Sequence, residues 1–181
     1  MAKSSTQEAS DTGNWNVAGV FSLDVIMYHI YYIDRCELAA EFGSIEPGQS
    51  GFMNDSEKAI ARLEGAEMML KHLSMLVSSS RFGVKKAADK TRLEALTPRI
   101  KKVKIILSLI KSGSEKMNHK ENIRYYDIDE ESFEKCLEAL IKLKEETYDI
   151  INNSDMLYTS PDETDPGKLK EMYMAKLTSR G

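Results

Sequence analysis

Two pairs of carboxylates in the last third of the chain have the spacing that metal chemistry asks for. Glu131-x-x-Glu134 and Glu146-x-x-Asp149 each set two acids one helical turn apart, close enough for both to reach one divalent cation. Residues 135–145 hold no Gly or Pro, and the apolar positions continue through them without a change of phase. One helix is therefore expected to carry all four acids, with the pairs roughly 22 Å apart at the α-helical rise. Pairs so placed cannot close on a single ion, and a solvated acidic face is the expectation. Glu64-x-x-Glu67, in a different helical pattern, is the remaining route to a composite site.

The order E-x-x-E then E-x-x-D resembles the signature of the all-α, MazG-like nucleotide pyrophosphohydrolases. In that family the two pairs come from two helices separated by a turn and bind Mg²⁺. The resemblance covers these four residues, and it implies an all-α metal-dependent nucleotide phosphohydrolase as one reading of the chain. Other chemistry finds less support. There is no Gly-rich phosphate loop, no G-x-S-x-G, no H-E-x-x-H and no His-Asp dipeptide. None of His29, His72 and His119 has a Glu three residues before it, as a di-iron bundle would require. Cys36 and Cys136 both fall in helical patterns, which suits a reducing, cytoplasmic setting and gives no metal cage. No catalytic, cofactor or metal residue is assigned, and the chain is not expected to be an enzyme.

The distribution of charge says more than its total. From Arg81 to Lys111 there are ten basic and two acidic residues, whereas Asp127 to Asn152 holds nine acidic and three basic. Neighbouring helices of opposite sign attract, so these two segments are expected to lie side by side. Arg99, Lys101, Lys102 and Lys104 could also meet a phosphate backbone. The block lacks interleaved aromatics, glycines and any reading-helix motif, so nucleic-acid binding stands as the alternative.

The elements that must position these residues follow from apolar periodicity. Trp15 to Phe42 is the most apolar stretch, with Asp24 the only charged residue between Val17 and Ile33. At 100° per residue one face carries Ala18, Ser22, Ile26, His29, Ile33, Cys36 and Ala40. That is the expected core face, with His29 buried, neutral and hydrogen-bonded. The other face carries Asp24, Tyr28, Tyr31, Arg35 and Leu38, and Tyr and Arg are enriched where proteins dock. A membrane span would place Asp24 near mid-bilayer at about 3 kcal/mol, so a soluble buried helix and no membrane partner are expected.

A loop at Pro47, Gly48 and Gly51 leads to a second helix capped by Asp55 and running to about Ser79. Its seam is Ile60, Leu63, Ala66, Leu70, Leu73 and Val77, widened by Met68, Met69 and Met75. Ser78-Ser79-Ser80 and Gly83 predict a break. The third helix follows Leu93, Leu96, Ile100, Val103, Leu107 and Ile110. Thr97-Pro98 either kinks it or starts a new helix with Thr97 as cap. Ile105 and Leu109 lie away from that seam and are surplus to it. Residues 112–128 read as a polar loop. Asp129 then caps a fourth helix, with Ile128 and Phe133 as a hydrophobic staple and a seam of Phe133, Cys136, Leu140, Leu143, Thr147 and Ile150.

The fold expected is an all-α, antiparallel four-helix bundle. Residues 1–14 are expected to be a disordered tail, 15–152 the bundle, 153–164 a linker and 165–181 a short helical docking arm. The arm's stripe is Leu169, Met172, Tyr173 and Leu177. Missing chemistry and surplus apolar surface together predict a protein partner or self-association. The expected role is a structural or accessory subunit of a larger assembly. The expected contact residues are Tyr28, Tyr31, Arg35, Ile105, Leu109 and the arm's four.

Overall fold

The computed structural model describes residues 23–46 and 48–155. The expected N-terminal tail, the first turns of the central helix, most of the linker and the arm with Leu169, Met172, Tyr173 and Leu177 lie outside the described residues. The described chain is mostly helical. In order it comprises α1 (Leu23–Phe42), a 3₁₀ turn (Gln49–Phe52), α2 (Asp55–Gly83), α3 (Ala87–Glu94) and α4 (Leu96–Ser114). Strands β1 (Glu115–Asn118) and β2 (Ile123–Tyr126) and helix α5 (Glu130–Asn153) complete it. No helix among the described residues is long and apolar enough to cross a membrane.

Local chemistry sets each boundary. Gly43 takes φ +82 after α1 and its N–H donates to the Ala39 carbonyl at 2.8 Å, the left-handed cap that glycine favours. Helix α2 begins with a reciprocal capping box. Asn54 Oδ1 accepts from the Glu57 N–H at 2.8 Å, and Glu57 Oε1 accepts from the Asn54 N–H at 2.9 Å. Asn54, rather than the expected Asp55, is therefore the cap. The expected break at Ser78–Ser80 does not occur: α2 runs on to Gly83, because serine costs a helix little when no Gly or Pro follows at once. At Pro98 the chain takes the second of the two expected courses, two residues early. Proline has no N–H to offer the Glu94 carbonyl, so α3 lapses there and α4 restarts at Leu96 with Pro98 in its first turn.

Residues 112–128 are not wholly a loop. Strands β1 and β2 form an antiparallel hairpin with Asn118 opposite Ile123 and Glu115 opposite Tyr126. Its connection is built on asparagines: Asn118 Oδ1 accepts from the Lys120 and Glu121 N–H groups at 3.1 and 3.2 Å, and Asn122 takes φ 56. At α5 Asp129 stands at the expected cap position, its carbonyl accepting from the Phe133 N–H and its Oδ2 from Ser132 Oγ, and Ile128 and Phe133 are both buried.

The described residues fall into two compact units, 23–31 with 73–97 and 145–155, and 32–72 with 98–144. The first has a core of Ile26, Met27, Ile30, Leu73, Leu76 and Leu93, with His29 and Thr147 also buried. Lys86 and Asp155 pair at 3.4 Å within it, and Arg92 reaches Asp149 at 3.9 Å. The second packs Ile33, Leu63, Met69, Leu107, Phe133 and Leu140. In it α1 and α2 approach closely at Gly65, where an added Cβ would stand 2.7 Å from Ala40 N and 2.9 Å from the Cys36 carbonyl oxygen. Of the expected Met cluster only Met69 is buried; Met68 and Met75 are exposed.

Candidate interaction surface

The second unit carries the feature that its core does not consume. Helix α4 buries Ile100, Val103 and Leu107 along one side. Ile105 and Leu109 stand roughly opposite that seam at 100° per residue, and they are 62% and 67% exposed. Ile106 joins them at 39%. Three large aliphatic side chains in water on one helix form an apolar patch of the kind that marks contact sites. Lys101, Lys102 and Lys104 around it are exposed.

Beside this row lies a groove of about 520 Å³. Ile106, Leu109, Ile110 and Gly113 form its α4 wall, and Lys116 of β1 closes one end. Asp127, Ile128, Asp129 and Ser132 bring the start of α5 to the other side. The groove is open at Gly113, where a Cβ would meet nothing within 4 Å. The hairpin adds exposed Ile123 and Tyr125 to the apolar inventory of the same unit. Ile106, Ile123 and Tyr125 were not among the expected contact residues, and Ile123-x-Tyr125 is too short an alternation to mark a strand.

A polar network fixes the helix ends of this unit. Arg62 lies in the N-terminal third of α2, and its side chain is 14% exposed. Its Nε donates to the Ala40 carbonyl at 3.1 Å, one of the carbonyls that the end of α1 leaves unbonded. One terminal nitrogen donates to both Glu130 oxygens at 2.9 Å, and the other reaches Glu134 at 3.4 Å. The guanidinium carbon lies 4.8 Å from the Phe133 ring centroid. Lys144 donates to Glu37, joining α5 to α1, and Lys111 to Glu67 at 3.1 Å, joining α4 to α2. The Glu67 hydrogen bond is the largest cause that raises the Lys111 pKa. Glu41 is raised as well, first by burial and then by the charges of Glu37 and Glu134.

Four of the six carboxylates singled out by spacing lie in such pairs. Glu131 lies 3.6 Å from Lys135, Glu134 is held by Arg62, Asp149 by Arg92 and Glu67 by Lys111. Glu131, Glu134, Glu146 and Asp149 are strung along α5, as the unbroken seam predicts. No group of three or more His, Cys, Asp or Glu placed to hold a metal ion occurs among the described residues. Both cysteines are unbonded thiols, and burial pushes both pKa values up.

The expected tyrosine stripe on α1 divides. Tyr28 is 51% exposed, with its ring edge-on to His29 at 5.1 Å, whereas Tyr31 and Arg35 are half-buried. Tyr32, unremarked in the sequence, stacks on His72 at 5.3 Å. Arg99 is exposed with the three lysines of its block. The chain matches no known protein family, no curated protein and no solved structure.

Proposed function

We propose that this is a non-enzymatic helical protein that works through protein contacts, as a structural or accessory subunit of a larger assembly in the cytoplasm. The observation that carries the reading is the exposed row Ile105, Ile106 and Leu109 beside its groove. Leaving such side chains in water forgoes roughly 1.5–3 kcal/mol each, and covering them by a partner recovers it. On this reading the four long helices pack as an antiparallel bundle, and α4 offers its outer face. Tyr28, Tyr31 and Arg35 on α1, and Leu169, Met172, Tyr173 and Leu177, supply further contacts.

The test is capture of a protein partner by the full chain against the double variant Ile105→Asp/Leu109→Asp. The reading predicts that a bound protein is lost with the double variant while far-UV circular dichroism is unchanged. Equal capture by both forms would remove α4 from the account. A second reading, nucleic-acid binding, draws on the exposure of Arg99, Lys101, Lys102 and Lys104. It predicts affinity that falls steeply with salt and vanishes when all four become Glu. No binding at low salt ends it.

A further inference from the structure

The α4 face is complementary to itself. Its centre is the apolar pair Ile105 and Leu109. Toward the N-terminal end of the helix, on the groove side, stands exposed Lys102. Toward the C-terminal end the groove beside Gly113 is edged by Asp127 and Asp129, with Lys116 the one cation lining it among the described residues. One end of the face is therefore basic and the other acidic by one charge. Turning the face through a two-fold axis at the level of Leu107 exchanges its ends and keeps its centre. Residue 105 then faces 109 of the other copy, and residue 102 comes level with 112. Lys102 of each copy meets the Asp127 and Asp129 edge of the other, and Ser112 and Gly113 are small enough to admit its stem.

We propose that this face pairs with the same face of a second copy of the chain, with the two α4 helices antiparallel. The proposal rests on the protein-contact reading above and names the partner for it. Parallel pairing would set Lys102 against Lys102 and leave the acidic edges facing each other. Antiparallel pairing satisfies both charges and gives the isologous contact on which most homodimers are built. One helix face and its groove form a small interface, below about 800 Å² per partner, so association on the order of micromolar is expected.

Sedimentation equilibrium of the full chain from 1 to about 500 µM tests it, over a range set by that expected affinity. The wild type should show a monomer–dimer equilibrium. Leu109→Asp and Ile105→Lys should each be monomeric with unchanged circular dichroism. Lys102→Glu should weaken the dimer about tenfold, and adding Asp127→Lys to it should restore the affinity, because each copy then carries the swapped pair. Asp129 stays intact as the cap of α5. A monomer throughout overturns the proposal, as does a dimer that both apolar variants leave intact. A charge swap without restoration overturns the antiparallel register. The protein-contact reading fails separately. With a monomeric wild type, loss of a different protein's binding in Leu109→Asp keeps that reading and removes self-pairing. Loss of neither removes both.

Discussion

Replacing Arg62 with Met removes a guanidinium that joins the end of α1, the N-terminal third of α2 and the start of α5. The methionine keeps most of the buried stem, so the change reports on the polar head. Four contacts are lost, and three carry most of the effect, since the pair with Glu134 at 3.4 Å, on a carboxylate 60% exposed, adds little. The hydrogen bond to the Ala40 carbonyl is worth about 1 kcal/mol, and more where the carbonyl is left without a donor. The pair with Glu130, whose side chain is 64% exposed, is discounted for solvent to about 0.5 kcal/mol. The stacking over Phe133 at 4.8 Å adds roughly 0.5–1 kcal/mol. The sum is about 2 kcal/mol, or a fall in Tm of about 4–8 °C for a chain of this length. Urea unfolding followed by far-UV circular dichroism measures the first quantity and a thermal scan the second. Glu130→Gln should cost less than half as much, because most of the effect lies in the carbonyl and the ring. A loss under about 0.5 kcal/mol for Arg62→Met, or one matched in full by Glu130→Gln, would refute the assignment of Arg62 as a helix-end tie.

Gly65→Ala normally stabilises a helix by about 1 kcal/mol, but here the added methyl meets backbone of α1 at 2.7 Å. Calorimetry should show a net loss of about 1–3 kcal/mol, and a rise in Tm would contradict the close approach. His72 is held below its ordinary pKa, first by burial and then by Lys71, so the unfolded chain binds its proton more readily. Its contribution is therefore intact above about pH 6.5 and is lost as pH falls below it; His72→Gln should flatten that part of the pH–stability curve, and an unchanged curve contradicts the assignment. Glu41 is raised by burial, Glu37 and Glu134, so the folded chain holds its proton longer than the unfolded one. Stability contributed by Glu41 drops as pH rises through its folded pKa. Glu41→Gln should thus raise Tm at pH 7 and change little at pH 3, and the reverse order would contradict the clustering of these three acids.

The sequence was most legible where one helix face is wholly apolar. Every residue of the α5 seam is buried, from Phe133 through Thr147 to Ile150, because a clean repeat with a capped start leaves one solution. The exposure of Ile105 and Leu109 followed from the same geometry, since they fall opposite a seam that is already satisfied. The hairpin was not legible because nearly all of it faces solvent, and a strand without a buried side shows no period-two contrast. The serine triplet misled for the opposite reason. Ser79 and Ser80 are buried in the helix, and the Ser80 hydroxyl has no hydrogen-bond partner among the described residues, so polarity there does not mean a loop. Arg62 was invisible because its contacts come from residues 40, 130, 133 and 134, which only the fold brings together.

Lysine-directed cross-linking with mass spectrometry in the native source tests the central claim most directly. Lys101, Lys102 and Lys104 flank the α4 face, so any protein seated on Ile105 and Leu109 lies within reach of their ammonium groups. The account predicts intermolecular cross-links concentrated at these three lysines and absent from the Ile105→Asp/Leu109→Asp variant at equal abundance. Cross-links spread evenly over the surface lysines, or undiminished in the variant, would contradict it.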